Sequence, residues 1–214
     1  MKPKVYVIPG FGMNERHLRG LKFDGYQVEV LEWESISTIN TYQEYAEKVF
    51  YPKIDREKPS IIVGYSMGGM VAVELAEMIH AKKLILISSA KNRNELPQKK
   101  LTLIKILGGK RLGTAKMLKR LTPLAKMMGK EYFGLLQASL KDIPEGIISF
   151  GIEAMIHWDR IDDPSIKYLH IHGKKDRLLP IKHVSNKVIL PYGHFLLSGS
   201  GIKRVNERIE RFLN

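Results

Sequence analysis

The apolar residues of this chain recur in short runs that end in Gly, Ser or Asp. Runs at 4–9, 26–32, 60–65, 83–89, 167–172 and 186–190 predict six strands. Most are separated by segments with helical spacing, which predicts a mostly parallel sheet covered on both faces. Thr41 and Glu44 make a capping box that predicts a helix near 41–51. Behind Ser66, the residues Met70, Val71, Val73, Leu75, Met78 and Ile79 make a helix apolar nearly all round, which must be buried. Ile202, Val205, Ile209 and Phe212 fall at 3-4-3 spacing and predict an amphipathic last helix.

One segment breaks the alternation. Residues 91–165 separate two strands that should be neighbours. Within them Leu101, Ile104 and Leu107, then Leu112, Ala115, Leu118 and Leu121, keep helical spacing, interrupted by Gly108-Gly109 and Pro123. The expected organisation is a single α/β core, residues 1–90 and 166–214, with a helical insertion at 91–165 after the fourth strand.

Composition narrows the class. At 214 residues with 44% apolar content, the chain is long enough to bury a substantial core. No run approaches the 18 apolar residues of a membrane span, and Val5 to Ile8 is too brief for a signal-peptide core. A cytoplasmic location is therefore the expectation. The absence of cysteine excludes disulfides, thiolate catalysis and zinc-thiolate sites.

Charge is uneven. Of the net +13, residues 91–130 supply 12 basic side chains against the single acid Glu95. This stretch can be a solvated helical face, a docking surface for an acidic partner or carrier, or a contact with an anionic membrane surface. Nucleic acid is disfavoured, because residues 91–130 contain no Phe, Tyr or Trp on which bases could stack.

The chemistry concentrates at Gly64-Tyr65-Ser66-Met67-Gly68, directly behind Ile61-Ile62-Val63. A serine hydroxyl that attacks a carbonyl must be forced out at a sharp strand-to-helix turn, and the G-x-S-x-G spacing supplies the close-packing glycines such a turn needs. Two later landmarks follow in chain order. Asp176 stands just past the strand ending at Gly173, and His194 follows the last strand in Pro191-Tyr192-Gly193-His194. With a serine nucleophile, a histidine must take the hydroxyl proton, and a carboxylate must orient the imidazole.

The elbow and the order Ser66, Asp176, His194 resemble the α/β-hydrolase superfamily over the whole chain apart from the insertion. The resemblance implies a pared-down version of that fold, without the usual first two strands and with 91–165 as a cap or lid. It implies a carboxylesterase or thioesterase acting through an acyl-enzyme on Ser66, with no cofactor or metal. The oxyanion would be held by the backbone N–H groups of Met67 and, from Pro9-Gly10-Phe11-Gly12, of Phe11. Many relatives carry His-Gly where this chain has Pro9-Gly10. In outline the chain also looks like carboxylesterases acting on acyl groups borne by acidic carrier proteins, whose elbow usually reads Gly-Trp-Ser.

Several competitors remain in view. Glu95 follows the fourth strand, where some family members place the acid, whereas Asp159, Asp162 and Asp163 precede the fifth. His183 lacks the Gly-His context, His172 is expected to support a strand end, and His17, His80, His157 and His170 are expected to be surface or packing residues. Gly10-x-Gly12 with Glu32 also opens a dinucleotide fingerprint, but the third glycine is replaced by Glu15, which would repel a pyrophosphate. Two further functions fit the same residues: an acyltransferase with the same three groups, or a non-catalytic module docking through its basic insertion.

Overall fold

The computed structural model describes residues 2–10, 12–35, 38–106, 144 and 146–214. Strands β1 (Lys4–Ile8), β2 (Gln27–Val30), β3 (Ser60–Tyr65), β4 (Lys83–Ile87), β5 (Tyr168–Gly173) and β6 (Val188–Leu190) form one six-stranded sheet in the order β2-β1-β3-β4-β5-β6. Every pairing is parallel, rather than mostly so. The expected strands are all present: β3 matches its run, β5 is shifted by one residue towards the C-terminus, and β1, β2, β4 and β6 are one to three residues shorter. At β4 the trimming has a local cause: Ser88 adopts φ 48, outside extended backbone, and ends the strand.

Alternation along the strands splits the core in two. Tyr6, Ile8, Ile62, Leu84 and Leu86 face one side, and Val5, Val7, Ile61, Val63, Ile85 and Ile87 the other. The first side is covered by α2 (Tyr42–Tyr45), α3 (Met67–Met78) and α5 (Ile147–His157), through residues such as Tyr42, Tyr45, Met70, Leu75, Ile147 and Phe150. The second is covered by α1 (Glu15–Leu18) and α6 (Gly201–Leu213), through Leu18, Val205 and Ile209. α3 is buried nearly all round, as its composition requires.

The capping box at Thr41 forms as expected, with Glu44 N–H donating to Thr41 Oγ1 and Thr41 N–H to Glu44 Oε2. Beyond it the helix loosens: Ala46–Phe50 is a π-helical turn in which Tyr51 N–H reaches back to Ala46 O. Pro52 supplies the reason, since it has no N–H to continue the α-helical ladder.

Of the insertion, residues 107–143 and 145 lie outside the described residues. What is described belongs to the core. Leu96, Leu101, Ile147, Phe150, Ala154 and Trp158 all join the cluster over the first face, and α4 (Gln98–Ile106) follows β4. The basic stretch also divides. Lys91 is fully buried and Arg93 donates to Ile156 O and Trp158 O, so the exposed cations of α4 are Lys99, Lys100 and Lys105. Among the described residues no helix is long and apolar enough to cross a membrane.

The strand order changes direction between β1 and β3. In parallel α/β sheets that switch opens a crevice beyond the carboxyl ends of the strands. Gly10 follows β1 there, and Ser66 follows β3.

Candidate active site

Ser66 sits between β3 and α3 with φ 51 and ψ −122, a conformation that costs a non-glycine residue about 1–3 kcal/mol. Its surroundings hold it there. Ser66 N–H donates to Ile87 O at 2.9 Å, and Ser66 O accepts from Gly69 N–H at 3.0 Å and from Ser89 Oγ at 2.7 Å. The flanking glycines are steric necessities: a Cβ on Gly64 would lie 2.4 Å from Gly69 Cα, and one on Gly68 would lie 2.3 Å from Pro9 O. The strained turn is thus locked from both sides. Met67 is the first residue of α3, where the N–H groups have no intrahelical acceptor.

His194 lies in the segment between β6 and α6, and Asp176 in the segment after β5. Ser66 Oγ and His194 Nε2 are 2.8 Å apart, and His194 Nδ1 is 2.7 Å from Asp176 Oδ2. Both His194 and Asp176 are buried. Because Asp176 accepts at Nδ1, the proton of the neutral ring sits there, and the Nε2 lone pair faces the serine hydroxyl. Gly173 makes this approach possible, since a Cβ there would lie 2.2 Å from Gly193 O.

The carboxylate is saturated with donors. Asp176 Oδ1 accepts from Leu178 N–H and Leu179 N–H, each at 2.9 Å, while His172 Nε2 stands 3.3 Å from Oδ2. Burial alone would push the Asp176 carboxyl up, but the His172 and His194 donors and the Leu179 amide outweigh it and hold it well below the usual carboxylate range. Asp176 therefore remains charged beside His194.

Three segments distant in sequence thus bring Ser66, Asp176 and His194 side by side. Phe11, the other expected oxyanion donor, lies outside the described residues. Its neighbour Gly10 is packed against the elbow: a Cβ there would lie 2.8 Å from Tyr65 Cδ1 and 3.2 Å from Ser66 Cβ. Gly10 O accepts from Met13 N–H at 3.1 Å and from Trp33 Nε1 at 3.3 Å. Trp33 thereby ties the turn after β1 to the segment after β2.

The competitors are engaged elsewhere. Glu95 is buried against Lys91 and accepts from Ser185 N–H at 2.8 Å. Asp163 accepts from Asn92 Nδ2 at 2.7 Å and pairs with Lys91 at 3.1 Å, while Asp159 and Asp162 are exposed. His17 belongs to the cap of α1, and His157 lies 3.2 Å from Glu153. Glu32, the ribose-binding candidate of the dinucleotide reading, accepts the backbone N–H of Glu15 at 2.6 Å.

Four supporting residues escaped the sequence reading: Tyr65, Ser89, Trp33 and His172's link to Asp176. Only His172 carried a signal, four residues before Asp176 at the strand end.

No protein-family profile and no curated protein matches the sequence. Solved structures do match. A hydrolase from Oleispira antarctica superposes with TM-score 0.71 at 16% identity, covering 100% of this chain and 91% of its own. A thermophilic esterase gives TM-score 0.69 at 19% identity, with 99% and 90% covered. RedJ, a thioesterase of the prodiginine biosynthetic pathway in Streptomyces coelicolor, gives 0.65 at 14%, with 99% and 89% covered. Together with the parallel sheet and its flanking helices, these likenesses establish the class: the chain has the α/β-hydrolase fold.

Proposed function

We propose that this chain is a serine hydrolase that cleaves a carboxylic ester or thioester through an acyl-enzyme on Ser66. The observation that carries the proposal is the unbroken line from Ser66 Oγ through His194 to Asp176, at 2.8 and 2.7 Å. As Ser66 Oγ attacks the carbonyl carbon, His194 Nε2 takes its proton, and Asp176 stabilises the imidazolium that results. The oxyanion is held by Met67 N–H and by Phe11 N–H, each contributing about 3 kcal/mol. His194 then protonates the departing alcohol or thiol. A water molecule attacks the acyl-enzyme through the same base and frees Ser66.

The structural neighbours, a hydrolase, an esterase and a thioesterase, agree with this chemistry. In the same reading the insertion at 91–165 covers the cleft. One further observation favours an acyl group borne by an acidic carrier. Lys100 Nζ donates to Arg177 O at 2.6 Å, which joins α4 to the segment holding Asp176. Along these two segments Lys99, Lys100, Lys105, Lys174, Lys175 and Arg177 are exposed, whereas the acids Glu95 and Asp176 are buried.

Hydrolysis of p-nitrophenyl esters and acyl-thioesters of graded length, with Ser66→Ala as control, tests the proposal. Turnover that disappears in Ser66→Ala supports it. No turnover of any member, with binding to anionic surfaces intact, would leave a docking module in its place. Charge reversal at Lys99 and Lys105 should raise KM for a carrier-borne acyl group and leave a small free ester unaffected.

A further inference from the structure

We infer that Tyr65 is a positioning residue that holds His194 in line with Ser66. The inference rests on the reading of Ser66 as nucleophile and His194 as base. Tyr65 is fully buried at the end of β3, paired in register with Ile87. Its hydroxyl donates to the backbone carbonyl of His194 at 2.9 Å, a contact between residues 129 positions apart.

That carbonyl is well chosen. The segment from Pro191 to Ser200 contains neither helix nor strand, so its shape depends on individual hydrogen bonds. His194 O also accepts from Leu196 N–H at 3.1 Å, which closes a local turn. The turn shapes the segment, and the Tyr65 hydroxyl fixes where it stands relative to the sheet. Because Tyr65 is bonded directly to Ser66, the same residue sets both ends of the 2.8 Å contact between Oγ and Nε2. Its ring also fills the space beside Gly10, so the turn after β1 is registered against the same side chain. Phenylalanine would keep the ring beside Gly10 and remove the hydroxyl that reaches the His194 carbonyl.

Tyr65→Phe separates positioning from folding. The His194 carbonyl keeps its bond from Leu196, so no buried acceptor is orphaned. Displacing a proton acceptor by a fraction of an ångström should lower kcat roughly tenfold, with KM changed less than about twofold. The second-order rate of fluorophosphonate labelling at Ser66 should fall by a similar factor. Both rates are measured at a temperature where circular dichroism shows wild type and variant equally folded. Wild-type kcat and labelling, or a raised KM with kcat intact, would overturn the inference. His194→Ala is the parallel arm. If it abolishes turnover while Tyr65→Phe is silent, only the positioning role falls; if it keeps turnover, the reading of His194 as base falls first.

Discussion

Among the described residues, two buried carboxylates at the carboxyl end of this sheet, Asp176 and Glu95, stand beside histidines, and they differ in what those contacts lead to. Asp176 meets His194, whose far nitrogen faces the hydroxyl of half-buried Ser66. Glu95 Oε2 stands 3.8 Å from His170 Nδ1, beyond hydrogen-bond reach, and the far nitrogen of that ring donates to the Ser89 carbonyl. A carbonyl carries no proton to give, so that second line ends in backbone. The charge on Glu95 is moreover matched by buried Lys91, whereas Asp176 accepts from His194, Leu178 N–H and Leu179 N–H and has no Lys or Arg partner among the described residues. Burial and a histidine do not make a catalytic acid. What sets Asp176 apart is that its histidine leads on to the Ser66 hydroxyl.

The largest effects should come from cutting the first line. Ser66→Ala or His194→Ala should lower kcat/KM for an ester by about 10⁴-fold or more, read by steady-state kinetics. Asp176→Asn should cost about 10²- to 10⁴-fold, because the imidazole loses its orienting charge. Glu95→Gln should leave kcat per folded molecule within about threefold, since its line reaches no nucleophile. Comparable losses in Asp176→Asn and Glu95→Gln would erase the distinction between the two pairs.

The second pair should report in stability instead. Lys91→Met leaves Glu95 buried without its cation and should destabilise by about 3–5 kcal/mol in urea unfolding. The folded fraction should retain its kcat. A cost below about 1 kcal/mol would mean that water reaches Glu95.

A further expected effect is in pH. Burial, with His172 and Lys91 adding to it, pushes folded His170 down to about 3. The unfolded chain takes that proton first, near pH 6.5, as the solution is acidified. Stability should therefore fall from about pH 6.5 downward, by at most about 1.4 kcal/mol per pH unit, until the folded value is reached. His170→Gln should flatten the urea midpoint between pH 6 and 4. Asp176 works in the other window: its folded value is lowered, so its contribution is complete above about pH 4 and lost only below it.

The first pair was legible in the sequence and the second was not, for physical reasons. Strand periodicity, the 64–68 elbow and the chain order of Asp176 and His194 depend on local spacing, and local spacing survives in a linear string. Lys91 reads as the first member of a solvated basic run, and only its partners Asp163 and Ser185, some 70 and 94 positions away, reveal that it is buried. The reach of Tyr65 to His194 is equally non-local. Pro52 did carry a local signal for the loosened helix, visible in hindsight as a missing donor.

Intact-mass and peptide mapping after fluorophosphonate treatment tests the central assignment most directly. The expected result is a single adduct on the peptide containing Ser66, absent in Ser66→Ala and strongly slowed in His194→Ala. An enzyme that hydrolyses esters yet carries the adduct elsewhere, or labels Ser66 equally fast without His194, would contradict it.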